Sequence, residues 1–118
     1  MASGVGSVKQ RASEPVRPRE LARRDAEAAV DYYIREAGPD VALAFVEALR
    51  TAYRMIADHP AAGSPRPAHE LALPGLRSRM LKRYPYLVFY IEQGDHIDVW
   101  RVLHAHRDIP AWLREPEG

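Results

Sequence analysis

Cysteine is absent from this 118-residue chain. That excludes disulfides, a thiol nucleophile and thiolate metal sites, and it suits a reducing compartment. Long apolar runs are missing too. None approaches the ~20 residues that span a bilayer, so no membrane segment is expected. The opening residues MASGVGSVKQ lack the apolar stretch of an export signal, which makes the cytoplasm the expected location. Net charge is only +1, so neither wrapping of nucleic acid by bulk electrostatics nor direct sequence-specific binding of it is expected. Lysine is scarce: of 17 basic residues, only Lys9 and Lys82 are not Arg. The guanidinium fork suits carboxylate and phosphate, so the bias fits an acidic partner, although a GC-rich genome gives the same bias without function.

What is present is ordinary for one folded unit. Apolar residues make up 47% and charged residues 28%, enough for a single core in a chain of common domain size. Residues 1–10, small and polar, read as a flexible tail before a domain over 11–118. A short first strand is expected over Arg11–Val16. From Glu20 to Ala37 the residues Ala26, Ala29, Val30, Tyr33 and Ile34 recur at helical spacing. Gly38 tolerates the positive φ of a helix end, and Pro39 suits the first turn of the next helix. That helix, about Pro39–Ala57, carries the stripe Val41, Phe45, Ala48, Leu49, Ala52 and Ile56. So short a junction makes an antiparallel helical hairpin.

Ala61–Ala72, with Gly63, Pro65 and Pro67, shows no period and reads as a loop. Leu76–Leu81 alternates as a strand with a basic face, ended by Pro85. Tyr86–Glu92 and His96–His104 are apolar on both faces, as strands covered on two sides are. Gly94-Asp95 between them is a two-residue hairpin signal. Asp108 can cap a last turn over Ile109–Leu113. The expected fold class is α+β, with the helical hairpin packed on a small, mostly antiparallel sheet.

Several pieces, in order, resemble one family. They are Asp31-Tyr32-Tyr33, Pro60 to Gly63, Leu73-Pro74-Gly75-Leu76-Arg77, Lys82 to Tyr90 (KRYPYLVFY), Arg101-Val102-Leu103-His104 and Arg107-Asp108-Ile109. Together they resemble ParE-type toxins of the RelE/ParE toxin–antitoxin superfamily, over roughly Val16–Leu113. The resemblance implies a growth-inhibiting toxin neutralised by a ParD-like antitoxin in a hetero-oligomer, of the kind that serves growth regulation and plasmid maintenance. In the ParE branch the target is DNA gyrase, poisoned by binding so that replication stops. The RelE branch instead cleaves messenger RNA on the ribosome, and one scaffold hosts both activities. A third reading is an orphan that retains only antitoxin binding.

The site residues separate these readings. RNA cleavage through the 2′-hydroxyl needs a base, an acid and cations for the phosphorane charge. Where the ribonuclease branch places an Arg in the third sheet strand, this chain has Tyr86. His104 as acid or base, with Arg101 and Arg83, keeps that alternative open; otherwise no catalytic residue is expected. Arg77, Arg79 and Arg83 read as one basic strand face, with Arg101 across the sheet, for antitoxin or target binding, and Trp112 as a C-terminal contact. The pair His104 and His106, with His96, lacks the carboxylates that would make a metal site. No metal or cofactor is expected.

Overall fold

The computed structural model describes residues 14–106 and 109–113; the expected tail, Arg11–Ser13 and Asp108 lie outside the described residues. The elements are β1 (Val16–Pro18), α1 (Glu20–Ala37), α2 (Pro39–Asp58), a 3-10 turn (Pro60–Ala62), α3 (Arg66–Glu70), β2 (Arg77–Met80), β3 (Tyr86–Glu92), β4 (Ile97–His104) and α4 (Ile109–Leu113). The four strands form one sheet in the order β1-β4-β3-β2. The β2–β3 and β3–β4 pairings are antiparallel and β1–β4 is parallel. The fold is therefore α+β, as expected. No helix among the described residues is long and apolar enough to cross a membrane.

Gly38 joins the two long helices at φ +96°, a backbone that only glycine adopts without strain. Its N–H donates to Tyr33 O and Ile34 O, closing α1, and its carbonyl accepts from Ala42 N–H, opening α2. The hairpin then buries Leu21, Ala22 and Ala29 of α1, and Ala42, Phe45, Leu49, Ala52 and Ile56 of α2. Ile34 leaves the expected stripe and is 47% exposed, because α1 turns its core line through Ala22, Ala26, Ala29 and Tyr33 instead.

The sheet is two-sided. Val88, Tyr90, Val99 and Val102 face the helices, while Phe89 and Leu103 face a second layer with Leu76 and Leu113. That explains why β3 and β4 carry apolar residues at consecutive positions. Trp100 is an extra residue in β4, since Phe89 pairs with Arg101 and Tyr90 with Val99. At the β3–β4 tip, Gln93 N–H donates to His96 O at 2.8 Å around Gly94-Asp95.

Two expectations shift. The first strand begins at Val16, where it was expected to end. Ile97 N–H donates to Pro15 O and Arg19 N–H to Val99 O, so pairing with β4, far along the chain, sets its position. The segment expected as a plain loop holds the 3-10 turn and α3, where Pro60, Pro65 and Pro67 preset helical φ. Tyr90 Oη donates to Pro60 O (2.7 Å) and Arg77 Nη1 to Gly63 O (2.8 Å), tying this segment to the sheet. A Cβ at Gly63 would overlap the Tyr90 hydroxyl.

Candidate partner-binding site

Register decides which way each basic side chain points. Arg77 pairs with Tyr90 and Arg79 with Val88, so both stand on the helix-facing side of β2, beside α2. Both are partly exposed, and Arg77 already holds the Gly63 carbonyl. Arg83 is not on that strand face, contrary to expectation. It lies in the turn between β2 and β3, exposed, at φ +73°. Leu81 N–H donates to Tyr86 O and Tyr86 N–H to Tyr84 O, and so tight a reversal forces one residue into the left-handed region. The basic face is thus two arginines on the strand, followed by Lys82 and Arg83 projecting from the turn.

Arg101 corrects the sequence expectation more sharply. It is 4% exposed and bidentate to Asp25 of α1, Nε to Oδ2 and Nη2 to Oδ1, both at 2.7 Å. Asp25 Oδ2 also accepts Val102 N–H at 3.0 Å. The reason is topological. β1 covers β4 only from Ile97 to Val99, so Val102 would turn an unpaired N–H toward α1. A carboxylate satisfies it, and an arginine balances the carboxylate. Arg101 is therefore an internal strut and offers nothing to a partner while this pair stands. Tyr53 packs nearby: burial first, and then the Asp25 carboxylate, push its hydroxyl up to about 12 against a smaller opposite pull from Arg23.

His104 ends β4 beside a cleft of about 540 Å³ between α1 and the sheet. Its ring meets Tyr86 edge-on (centroids 5.2 Å apart, 77°) and lies 5.1 Å from the His106 ring. Its Nδ1 accepts His106 N–H at 3.1 Å, which places the ring proton on Nε2 when the imidazole is neutral. Tyr86 belongs to an aromatic cluster with Tyr33, Phe45 and Tyr84, so the position where an Arg was looked for is a packing position. Among the described residues no group of three His, Cys, Asp or Glu side chains could hold a metal. The Trp112 side chain lies outside the described residues, although its helix is present and Leu113 is buried under the sheet.

Sequence reasoning missed Asp25, Tyr32 and the cleft. Asp25 is one acidic residue among several on α1, and nothing local marks its partner 76 residues on.

With fold and site in place, the family follows. The model of the ParE toxin of the type II toxin–antitoxin system parDE matches residues 16–109, so this chain belongs to that family. A solved structure described as the chromosomal ParDE toxin–antitoxin system from P. aeruginosa shares its fold, with a TM-score of 0.68. The two chains are 23% identical, over 80% of this chain and 98% of that one. No curated protein matches.

Proposed function

We propose that this chain is the toxin of a two-protein module, acting in the cytoplasm by binding and poisoning DNA gyrase, and held inactive by a ParD-like antitoxin in a hetero-oligomer. Family membership supports the toxin and its antitoxin. The choice of a binding mode over RNA cleavage rests on one observation. The described residues lining the cleft at His104 include the Asp25 carboxylate and the rings of Tyr32, Tyr33 and Tyr86, but no Arg or Lys. A phosphorane would meet a carboxylate there, with Arg101 already committed to it. A poison instead needs shape and charge complementarity to its partner and no tuned acid–base pair.

The experiment is a pair of assays on the purified protein, with His104→Ala beside the wild type. Gyrase supercoiling should be inhibited, cleaved DNA should accumulate, and ribosome-bound message should stay intact. His104→Ala should keep its toxicity in cells. Message cleavage by the wild type, abolished in a stably folded His104→Ala with gyrase unaffected, would install the ribonuclease alternative. Absence of any growth effect would leave the antitoxin-binding orphan.

A further inference from the structure

The cleft of about 540 Å³ between α1 and the sheet holds hydrogen-bond acceptors and ring faces, and none of the described residues lining it is a Lys or Arg. The short side chains of Ala28 and Ala29 leave the space, and the rings of Tyr32, Tyr33, Tyr86 and His104 border it. Tyr32 stands edge-on to Tyr33 at 5.2 Å, and Tyr33 lies 6.3 Å from Tyr86. Tyr32 is 48% exposed and forms the rim. Tyr84 and Tyr90 direct their hydroxyls to backbone carbonyls, whereas no described residue hydrogen-bonds the hydroxyls of Tyr32 and Tyr33. Burial first, and then the neighbouring Tyr86, Tyr84 and Tyr32, hold the Tyr33 proton above the ordinary phenol range, so this hydroxyl stays neutral and can accept. Asp25 adds a charged acceptor. A carboxylate offers about four acceptor positions. Arg101 Nε and Val102 N–H occupy Oδ2, while Arg101 Nη2 alone occupies Oδ1, which leaves one position on Oδ1 at the cleft wall.

These groups select the occupant by elimination. An anion would meet the Asp25 carboxylate. A neutral apolar molecule would cover Asp25 Oδ1 and the two hydroxyls without giving them a donor. A metal ion lacks ligands, since no group of three His, Cys, Asp or Glu side chains gathers among the described residues. An organic cation satisfies both features at once, through its charge on the ring faces and its N–H groups on the oxygens. Guanidinium suits this best, because it is planar, weakly hydrated, and stacks on aromatic rings while donating in its own plane. We propose that the cleft binds an alkylguanidinium cation, its plane against the Tyr32 and Tyr86 rings and its N–H groups on Asp25 Oδ1 and the Tyr33 hydroxyl. The assignment does not depend on which target the toxin poisons.

The test titrates the full chain with propylguanidine, followed by its amide resonances. Propylurea, of the same shape without charge, and tetramethylammonium, charged without N–H donors, are titrated beside it. Propylguanidine should shift the resonances of Ala28, Tyr32 and Leu103 saturably. Propylurea should bind about tenfold more weakly or worse, and tetramethylammonium more weakly than propylguanidine. Ala28→Lys sets a like charge in the lining at an exposed helix position and should abolish binding. Tyr32→Ala removes the exposed ring and should weaken binding about threefold or more, so it decides the matter if the lysine variant fails to fold. N-acetylarginine amide separates two sources of the cation. Binding equal to propylguanidine assigns it to an arginine of a partner polypeptide, weaker binding assigns it to a free small molecule, and each upholds the site. Equal binding of propylurea or tetramethylammonium, unchanged binding by a folded variant, shifts confined to other carboxylates such as Glu70 or Asp95, or no saturable shift would each overturn the assignment.

Discussion

Replacing Arg101 with methionine should cost this domain a large part of its stability and nothing specific in recognition. The side chain is 4% exposed, and that of its partner Asp25 is 10% exposed. Two charge-assisted hydrogen bonds of 2.7 Å join them. Removing one member of such a pair leaves the other charge desolvated, at a cost of about 3–5 kcal/mol. For a domain of this size, 1 kcal/mol corresponds to roughly 4–8 °C in melting temperature, so the midpoint should fall by at least about 12 °C. Asp25→Ala should cost no less, because Val102 N–H also loses its acceptor, a further penalty of about 1–3 kcal/mol. The double variant Asp25→Ala/Arg101→Met should be more stable than the sum of the singles predicts, since it buries no uncompensated charge.

The assay is urea and thermal unfolding followed by circular dichroism, at low and high salt. Salt should change little, because the pair is mostly buried, at 4% and 10% side-chain exposure, and held by two short hydrogen bonds. A contact residue behaves in the opposite way: Arg101→Met would melt with the wild type and bind a partner more weakly, with a salt-dependent loss. That result would refute the assignment of Arg101 as an internal strut.

Three further outcomes follow from the same geometry. Gly63→Ala should destabilise by about 1–3 kcal/mol through overlap with the Tyr90 hydroxyl. The loss should shrink in a Tyr90→Phe background, and equal loss in both backgrounds, measured by thermal unfolding, would discard the overlap. Tyr53 holds its proton more tightly folded than unfolded, so its stabilisation is complete below pH 10 and is lost as pH rises toward about 12. Tyr53→Phe should flatten that alkaline decline in a pH series of urea midpoints, and an unchanged slope would assign the decline to other groups. Reversing Arg79 and Arg83 to glutamate should weaken antitoxin binding, more at low salt than at high; unchanged affinity in calorimetry at both salts would make them solvated surface.

The helices, the hairpin turn and both long strands were legible because each rests on local signals. Gly38-Pro39 marks one helix end and the next helix start, and consecutive apolar residues in Tyr86–Glu92 announce a strand covered on two faces. The first strand was placed too early because its register is set by Ile97 and Val99 of β4, which no local pattern reveals. The short helix Arg66–Glu70 was missed because five residues hold too few turns to show a period. Arg83 was drawn onto the strand face because counting by twos assumes the strand continues, whereas β2 ends at Met80.

Arg101 carries the wider lesson about reading basic residues in this family's fold. In the sequence it is one more arginine in an arginine-rich chain, three residues before a histidine, in a strand that ends beside a cleft. Only the three-residue length of β1 changes its meaning. Because β1 stops opposite Val99, the N–H of Val102 needs an acceptor from α1, and Asp25 supplies it. That carboxylate sits at 10% exposure and needs a cation, which Arg101 supplies. The same step removes a cation from the cleft at His104 and leaves a carboxylate in its lining. One short strand therefore explains why Asp25 and Arg101 are held together at the wall of the cleft, the pairing from which the proposed binding mode is argued.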